Sequence, residues 1–110
     1  MHEPTYFVLA ALLDEALHGY AIIKRVEDLS AGRVRLAAGT LYAALDRLTG
    51  EELIQVVREE TVNGRARRYY SLTDAGSAAV QAEAERMAEA SRVVTDHRRG
   101  HAANWAVKPA

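Results

Sequence analysis

The stretch LIQVVREETVNGRARRYYSL, residues 53–72, decides the fold of this chain. Two segments rich in β-forming residues flank Asn63-Gly64, which is the strongest short signal for a β-hairpin with a two-residue turn. A type I′ turn here predicts the pairs Val62–Arg65, Glu59–Arg68, Val57–Tyr70 and Gln55–Leu72. Val57, Tyr70 and Leu72 then share one face of the hairpin, which we expect to be the core face.

Three helices are predicted before the hairpin. The first covers roughly 4–15 and is apolar on more than one side. The second carries an apolar stripe of Ile22, Val26 and Leu29 and ends near Gly32, and the third carries Leu41, Leu45 and Leu48 and ends near Gly50. Between the second and third helices, Arg33 to Leu36 alternates polar and apolar residues, which predicts a short strand.

A long helix is predicted after the hairpin, with Thr73 as its N-cap and Asp74 in its first turn. Val80, Met87 and Val94 recur every seven residues, a spacing typical of a helix packed against another helix. A second copy of the chain is the expected partner, and the alternative is that the seam packs on the first helix of the same protomer. The expected dimer contacts are Tyr6, Leu9, Leu13, Val80, Ala84, Met87, Ser91 and Val94.

The order of these elements predicts a mainly α fold with a β-hairpin wing. This is a winged helix-turn-helix domain over 1–73, followed by a dimerisation helix over 74–99 and a flexible tail over 100–110. The apolar surface shared by the first and last helices is the expected place for a small-molecule effector, with Tyr6, Phe7, Met87 and Trp105 as candidate contacts.

The third helix has the features of a helix that enters the major groove of DNA. Its outward face lacks bulky apolar groups and offers small residues and hydrogen-bond donors. The candidate contacts are Gly39, Thr40, Tyr42, Ala43 and Arg47. The carboxylate of Asp46 would repel phosphate unless it accepts from a cytosine amine or turns toward Arg47. A solvated helix face explains the same residues equally well.

The hairpin favours DNA contact, because it carries cations beside its turn. The candidate residues are Asn63, Gly64, Arg65, Arg67 and Arg68. Glu59 and Glu60 support the alternative of a charged sheet edge, since they can neutralise Arg68 and Arg67. Tyr20 and Lys24 open the second helix and are candidate phosphate contacts, although Tyr20 can equally be a core aromatic residue.

Composition limits the possible classes. The 110 residues are 49% hydrophobic and 26% charged, which is typical of a folded globular chain rather than a disordered one. The net charge is −1, yet residues 16–70 hold nine basic and seven acidic side chains, so positive charge concentrates in the predicted DNA-binding region. No apolar run approaches the length of a membrane span, and we expect a cytoplasmic location.

The sequence carries no signature of catalysis or of a bound cofactor. There is no cysteine, phosphate loop, dinucleotide fingerprint or zinc-protease motif. His97 and His101 have the i, i+4 spacing of two metal ligands, but Gly100 lies between them and a solvated helix end is the favoured interpretation. We therefore expect neither an enzyme nor a metal site.

Four motifs resemble the PadR family of bacterial transcriptional regulators. They are His18-Gly19-Tyr20, Gly39-Thr40-Leu41-Tyr42, Leu45-Asp46-Arg47-Leu48, and the run from Arg68 to Gly76. The resemblance covers about residues 5–95, and the single last helix is similar to the short subfamily. It implies a homodimeric winged-helix repressor that binds near-palindromic operators and is released in many members by a small molecule. It also implies DNA-proximal positions for Tyr20, Thr40, Tyr42 and Arg47.

Three positions depart from the family pattern. Ala43 stands where proline is usual, Glu52 where glycine is usual, and Ala37 where a serine cap is common. None of them removes a cation expected to face phosphate. A winged-helix module that binds a protein partner instead of DNA is the alternative function, and it is motivated by the near-neutral charge and the acidic hairpin.

Overall fold

The computed structural model describes the backbone of residues 1–107 and the side chains of residues 1–98. The chain forms four helices and three strands within that range. In order they are α1 (Glu3–Ala11), β1 (Leu17–His18), α2 (Gly19–Leu29), α3 (Ala38–Gly50), β2 (Ile54–Val62), β3 (Arg65–Leu72) and α4 (Asp74–Val107). The predicted winged helix-turn-helix fold is confirmed, although α1 ends earlier than the sequence indicates.

The sheet has three antiparallel strands in the order β1-β3-β2. Its short strand is Leu17–His18, which pairs with Tyr70 and Tyr69 of β3. The predicted strand from Arg33 to Leu36 is wrong. That segment crosses between α2 and α3 without strand pairing, and the side chain of Ser30 binds the backbone N–H of Val34 at 2.9 Å.

The hairpin has the predicted turn and a register that shifts once. Asn63 and Gly64 have φ of 51° and 76°, the positive values that a type I′ turn requires. The pairs Val62–Arg65 and Glu59–Arg68 are confirmed. A β-bulge between Val56 and Arg58 then moves the register by one residue, so the predicted pairs Val57–Tyr70 and Gln55–Leu72 are wrong.

The bulge changes which β2 residues pair with the buried residues of β3. Val56 pairs with Tyr70 and Ile54 with Leu72, but Val56 is 41% and Val57 50% exposed, so the predicted core position of Val57 is wrong and neither valine lies in the core. Ile54 is fully buried instead. Tyr70 is buried and Leu72 packs against the core, as predicted. An extra residue in one strand bends the strand and raises its twist. The apolar start of β2 therefore packs on the core, while its charged end next to the turn extends into solvent.

The core combines the apolar faces of all three short helices with the sheet. Its members are Val8, Leu9, Ala11, Leu12, Ile22, Val26, Val34, Leu41, Leu45, Leu48, Ile54, Tyr70 and Val80. The predicted stripe of α3 is therefore confirmed. Leu9 and Val80, two of the predicted dimer contacts, are 0% and 3% exposed within one protomer. The start of α4 packs on this core, so these two side chains are not free to contact a partner.

Two helices end on residues that adopt a left-handed conformation without being glycine. After α3, the N–H of Leu53 binds the carbonyl of Leu48 and the N–H of Glu52 binds that of Thr49, each at 3.0 Å. This is a Schellman motif, which places Glu52 at φ 61°. Ala31 occupies the equivalent position after α2, at φ 54°.

The last helix divides between two compact units, Met1–Val80 and Gln81–Ala110. Thr73 caps it by accepting the N–H of Gly76 at 3.0 Å. The helix continues to Val107, past its predicted end at residue 99. The last three residues of the predicted tail, 108–110, lie outside the described residues. In the described part of the chain, no helix combines the length and hydropathy needed to cross a bilayer.

Candidate nucleic-acid interface

An open groove of about 890 Å³ lies between the start of α2, the exposed face of α3 and the hairpin. Three elements supply its walls, so its shape depends on the helix-turn-helix and the wing together. It is lined by His18, Gly19, Tyr20, Tyr42, Asp46, Val62, Asn63, Arg65, Ala66, Arg67, Arg68 and Tyr70. Six of the predicted DNA-contacting residues therefore come together here: Tyr20, Tyr42, Asn63, Arg65, Arg67 and Arg68.

Tyr42 reaches the groove because Gly19 leaves room for it. A methyl group added at Gly19 would lie 2.7 Å from the Tyr42 hydroxyl oxygen and 3.0 Å from its Cζ atom. The Tyr42 ring thus lies against the first turn of α2 while the side chain stays half exposed. This contact fixes the Tyr42 hydroxyl beside Gly19 at the wall of the groove.

The outward face of α3 divides between two sides. Tyr42 and Asp46 line the groove beside the wing. Thr40, Ala43 and Arg47 line a second, smaller cavity of about 360 Å³ next to α1. Asp46 does not pair with Arg47, because the two side chains line different cavities and Arg47 pairs with Glu51.

Arg47 is held on the α1 side by two contacts. Its guanidinium donates to the Thr5 hydroxyl at 3.0 Å and to the Glu51 carboxylate at 3.2 Å. Half of the side chain is still exposed. Arg47 is therefore exposed on the α1 side of α3, while Tyr42 and Asp46 line the groove beside the wing.

The cations of the hairpin differ in their partners. Arg68 pairs with Glu59 at 3.8 Å, as expected from the turn register. Arg65 and Arg67 have no carboxylate partner among the described side chains, although Glu60 lies directly opposite Arg67 in the register. Glu60 pairs with Arg58 at 3.3 Å instead. The wing therefore presents two arginines without an ion-pair partner to a groove that Asp46 lines from the α3 side.

His18 joins the groove at the junction of β1 and α2. Its Nδ1 atom accepts the N–H of Ala21 at 3.4 Å and so caps α2. Burial lowers the pKa of His18, the nearby Arg67 charge lowers it further, and Glu60 opposes both effects. His18, Asp46, Val62 and Ala66 line the groove but were not predicted as contacts. The position of His18 directly before Gly19 is the signal that could have identified it as a cap.

The remaining predicted residues are exposed but do not line the groove. Lys24 lies further along α2, Gly39 begins the outward face of α3, and Gly64 forms the turn. Of the predicted dimer residues, Leu13 is 50% and Val94 66% exposed. Met87 and Ser91 are exposed, and Tyr6 and Ala84 are half-buried. His101 and Trp105 lie outside the described side chains, and no group of acidic or histidine side chains within residues 1–98 is arranged to hold a metal.

A three-helix domain with an antiparallel wing and a cationic groove between wing and third helix defines a winged helix-turn-helix protein. The transcriptional regulator PadR-like family model matches residues 8–82. The chain belongs to this family, and it is a PadR-type transcriptional regulator.

Curated relatives support the assignment. The chain is 36% identical to the transcriptional regulator Rv3488 of Mycobacterium tuberculosis, over 79% of this chain and 78% of the relative. It is 43% identical to an uncharacterised 37.1 kDa protein in transposon TN4556 of Streptomyces fradiae, over 82% of this chain. The match spans only 24% of that longer protein.

Solved structures share the fold. A PadR family transcription regulator from Clostridium difficile matches 87% of this chain and 98% of its own at a TM-score of 0.72 and 22% identity. The Bacillus subtilis PadR in complex with operator DNA matches 70% of this chain and 44% of its own, at a TM-score of 0.62 and 24% identity. A PadR-like transcription factor from Bacteroides fragilis matches 84% of this chain and 86% of its own at 0.70 and 27% identity.

Proposed function

We propose that this protein is a homodimeric repressor that binds operator DNA through the groove between the wing and α3. The two wing arginines without carboxylate partners, Arg65 and Arg67, carry the proposal. A solvated sheet edge would gain from pairing these cations with the glutamates on β2. Cations left uncompensated beside an open groove suit a ligand that brings its own negative charge, such as a phosphate backbone.

Each part of the groove has a role in this proposal. The wing cations contact phosphates and set the affinity, while Tyr20 and the first turn of α2 approach the backbone. Tyr42 reaches base edges from inside the groove, and the exposed Gly39, Thr40 and Ala43 outside it let α3 approach the major groove closely. The exposed Arg47 adds a phosphate or guanine contact on the α1 side.

Dimerisation is proposed to use the second unit of the chain. Met87, Val93 and Val94 are 37%, 70% and 66% exposed on one α4 helix. Apolar side chains on one helix are stabilised when a second helix covers them, and two copies of a small domain can read two half-sites. Val94→Lys is therefore expected to convert a dimer into a monomer, as measured by light scattering, and to weaken binding to a palindromic duplex.

Binding is tested by selecting duplexes from a random library and measuring the affinity of the enriched duplex by fluorescence anisotropy. Affinity should fall steeply with salt, because phosphate contacts release counterions. Arg65→Ala and Arg67→Ala should each weaken all duplexes alike and lower the salt slope by about 1. Arg33→Ala is the matched control, because Arg33 is exposed, pairs with Glu3 at 2.9 Å and lies outside the groove.

Failure to enrich any duplex at low salt would overturn the proposal. Capture of a protein by the same groove, sensitive to Arg65→Ala, would assign the groove to protein recognition.

Repression is tested with a reporter gene whose promoter contains the selected duplex. Loss of the protein should raise expression of that reporter. Release by a small molecule is part of the proposal, and compounds that dissociate the complex would identify the effector. A DNA target also implies a cytoplasmic location.

A further inference from the structure

One face of the three-stranded sheet carries a cluster of four side chains next to Arg67: Arg58 and Glu60 of β2, Tyr69 of β3 and His18 of β1. In the sheet register, His18 lies beside Tyr69 and Tyr69 lies beside Arg58. The next pair on the same face, two residues closer to the turn, is Glu60 directly opposite Arg67. Opposite charges at facing positions of antiparallel strands ordinarily attract, so Glu60 is expected to neutralise Arg67.

Glu60 contacts two other residues instead of Arg67. Its Oε2 atom accepts the hydroxyl of Tyr69 at 3.2 Å, and its Oε1 atom lies 3.3 Å from Nε of Arg58. Both carboxylate oxygens therefore have a partner, and neither partner is Arg67. The neighbouring pair Glu59–Arg68 does meet at 3.8 Å, so the geometry of the hairpin permits such pairing.

Arg58 is itself fixed by the ring of Tyr69. Its Cζ atom lies 4.0 Å from the ring centroid, within the range of a cation–π contact. The other neighbour of the ring is His18, edge-on at 5.4 Å between centroids. Arg58 lies opposite Tyr69 in the register that the Asn63-Gly64 turn sets, and the bulge begins at the next residue of β2.

Resting on the DNA-binding function proposed above, we infer that Arg58 and Tyr69 are positioning residues that hold Glu60 away from Arg67. They act through Glu60 and keep the charge of Arg67 available to the groove. Without them, Glu60 turns to its facing partner, and Arg67 no longer attracts phosphate at full strength. The effect of Arg67 on the pKa of His18 fits this arrangement, because that pKa is lowered by an Arg67 charge that Glu60 only partly offsets.

The test is a double-mutant cycle of Arg58→Met and Glu60→Gln, measured with the enriched duplex. Arg58→Met keeps the apolar stem of the side chain and removes its charge. We expect it to weaken binding by about threefold to fivefold, the change that one exposed ion pair can produce. Adding Glu60→Gln should restore most of that loss, and it should help far less in the wild-type background. Tyr69→Phe, which removes only the hydroxyl, should give a smaller loss that Glu60→Gln also restores.

The inference is overturned if Glu60→Gln has the same effect in both backgrounds, since Glu60 then acts on DNA independently of Arg58. It is also overturned if Arg58→Met lowers the salt slope by about 1 and is not restored, because Arg58 is then a phosphate contact itself. Both positions are exposed, and thermal unfolding of each variant checks the fold. If Arg58→Met unfolds, Tyr69→Phe with Glu60→Gln completes the same cycle.

A second readout does not require DNA. The pKa of His18, measured by NMR, should rise in Arg58→Met as Glu60 moves to Arg67, and this rise should shrink in the Glu60→Gln background. An equal rise in both backgrounds would overturn the inference. Failure of wild-type protein to bind any duplex, with the NMR cycle behaving as expected, would instead reject the proposed function and leave the positioning of Glu60 intact.

Discussion

Replacing Gly19 by alanine should change DNA selectivity without unfolding the protein. The new methyl group would lie 2.7 Å from the Tyr42 hydroxyl oxygen. Ordinary contact requires about 3.5 Å, so the hydroxyl must move by about 1 Å. The contact involves the far end of a side chain that is half exposed, and Tyr42 can therefore yield by rotating. Alanine at the start of α2 also has a better helix propensity than glycine.

The loss should appear in recognition rather than in stability. A base-edge contact is worth about 1–3 kcal/mol of discrimination, and a shift of this size disrupts the geometry of a hydrogen bond. We expect Gly19→Ala to reduce the preference for the selected duplex over a mismatched one by up to that amount. The free energy of unfolding should change by less than about 1 kcal/mol.

The assay compares the affinities of matched and mismatched duplexes by anisotropy. Gly50→Ala is the matched control, because a methyl group there meets no atom within 4 Å and Gly50 lies at the far end of α3. In a Tyr42→Phe background, Gly19→Ala should have little further effect on the preference. A full effect in that background, or an equal loss for every duplex, would refute the assigned role of Gly19.

Three further predictions concern stability, each measured by urea or thermal unfolding. Ala37 is the N-cap of α3 at extended φ and ψ without a side-chain cap, so Ala37→Ser should stabilise the protein by about 1 kcal/mol. Glu52→Gly relieves a left-handed residue and should stabilise by up to about 1 kcal/mol, net of the backbone entropy of glycine, whereas Glu51→Gly at φ −82° should destabilise. Because the pKa of folded His18 is lowered, the unfolded state takes up the proton first, and stability should fall as pH drops below about 6.5. His18→Asn retains a capping side chain and should remove this part of the pH dependence; an unchanged profile would contradict the assignment.

Sequence reasoning predicted the features that depend on local chemistry. The positive φ angles of Asn63 and Gly64 follow from a dipeptide suited to a type I′ turn. The buried stripe of Leu41, Leu45 and Leu48 follows from helical spacing. These signals lie within a few residues of one another, so no knowledge of distant contacts was needed.

The errors concern features that depend on distant partners. β1 has two residues and exists because it pairs with the edge of β3, so periodicity cannot reveal it. The bulge at Val57 adds one residue to a strand without a marker in the sequence. Val80 shares a heptad spacing with Met87 and Val94, but that spacing does not say whether the same protomer or a second copy covers each position.

In the candidate site too, local features were predictable from the sequence and contacts between distant residues were not. The wing arginines were identifiable from their position beside the turn. The sequence could not tell which arginine is neutralised. Glu60 lies opposite Arg67 in the strand register, yet it contacts Arg58 and Tyr69. Side-chain competition among several charged neighbours is a property of the folded sheet.

The most direct test of the central claim is whether duplex DNA occupies the groove. The chain has no cysteine, so one introduced thiol reports on one place. Ala66→Cys puts the thiol in the groove, and Asp28→Cys puts it on the exposed last turn of α2 as a control. We predict that the selected duplex slows alkylation at position 66 and leaves position 28 unchanged. Equal alkylation at position 66 with and without bound duplex would contradict the account.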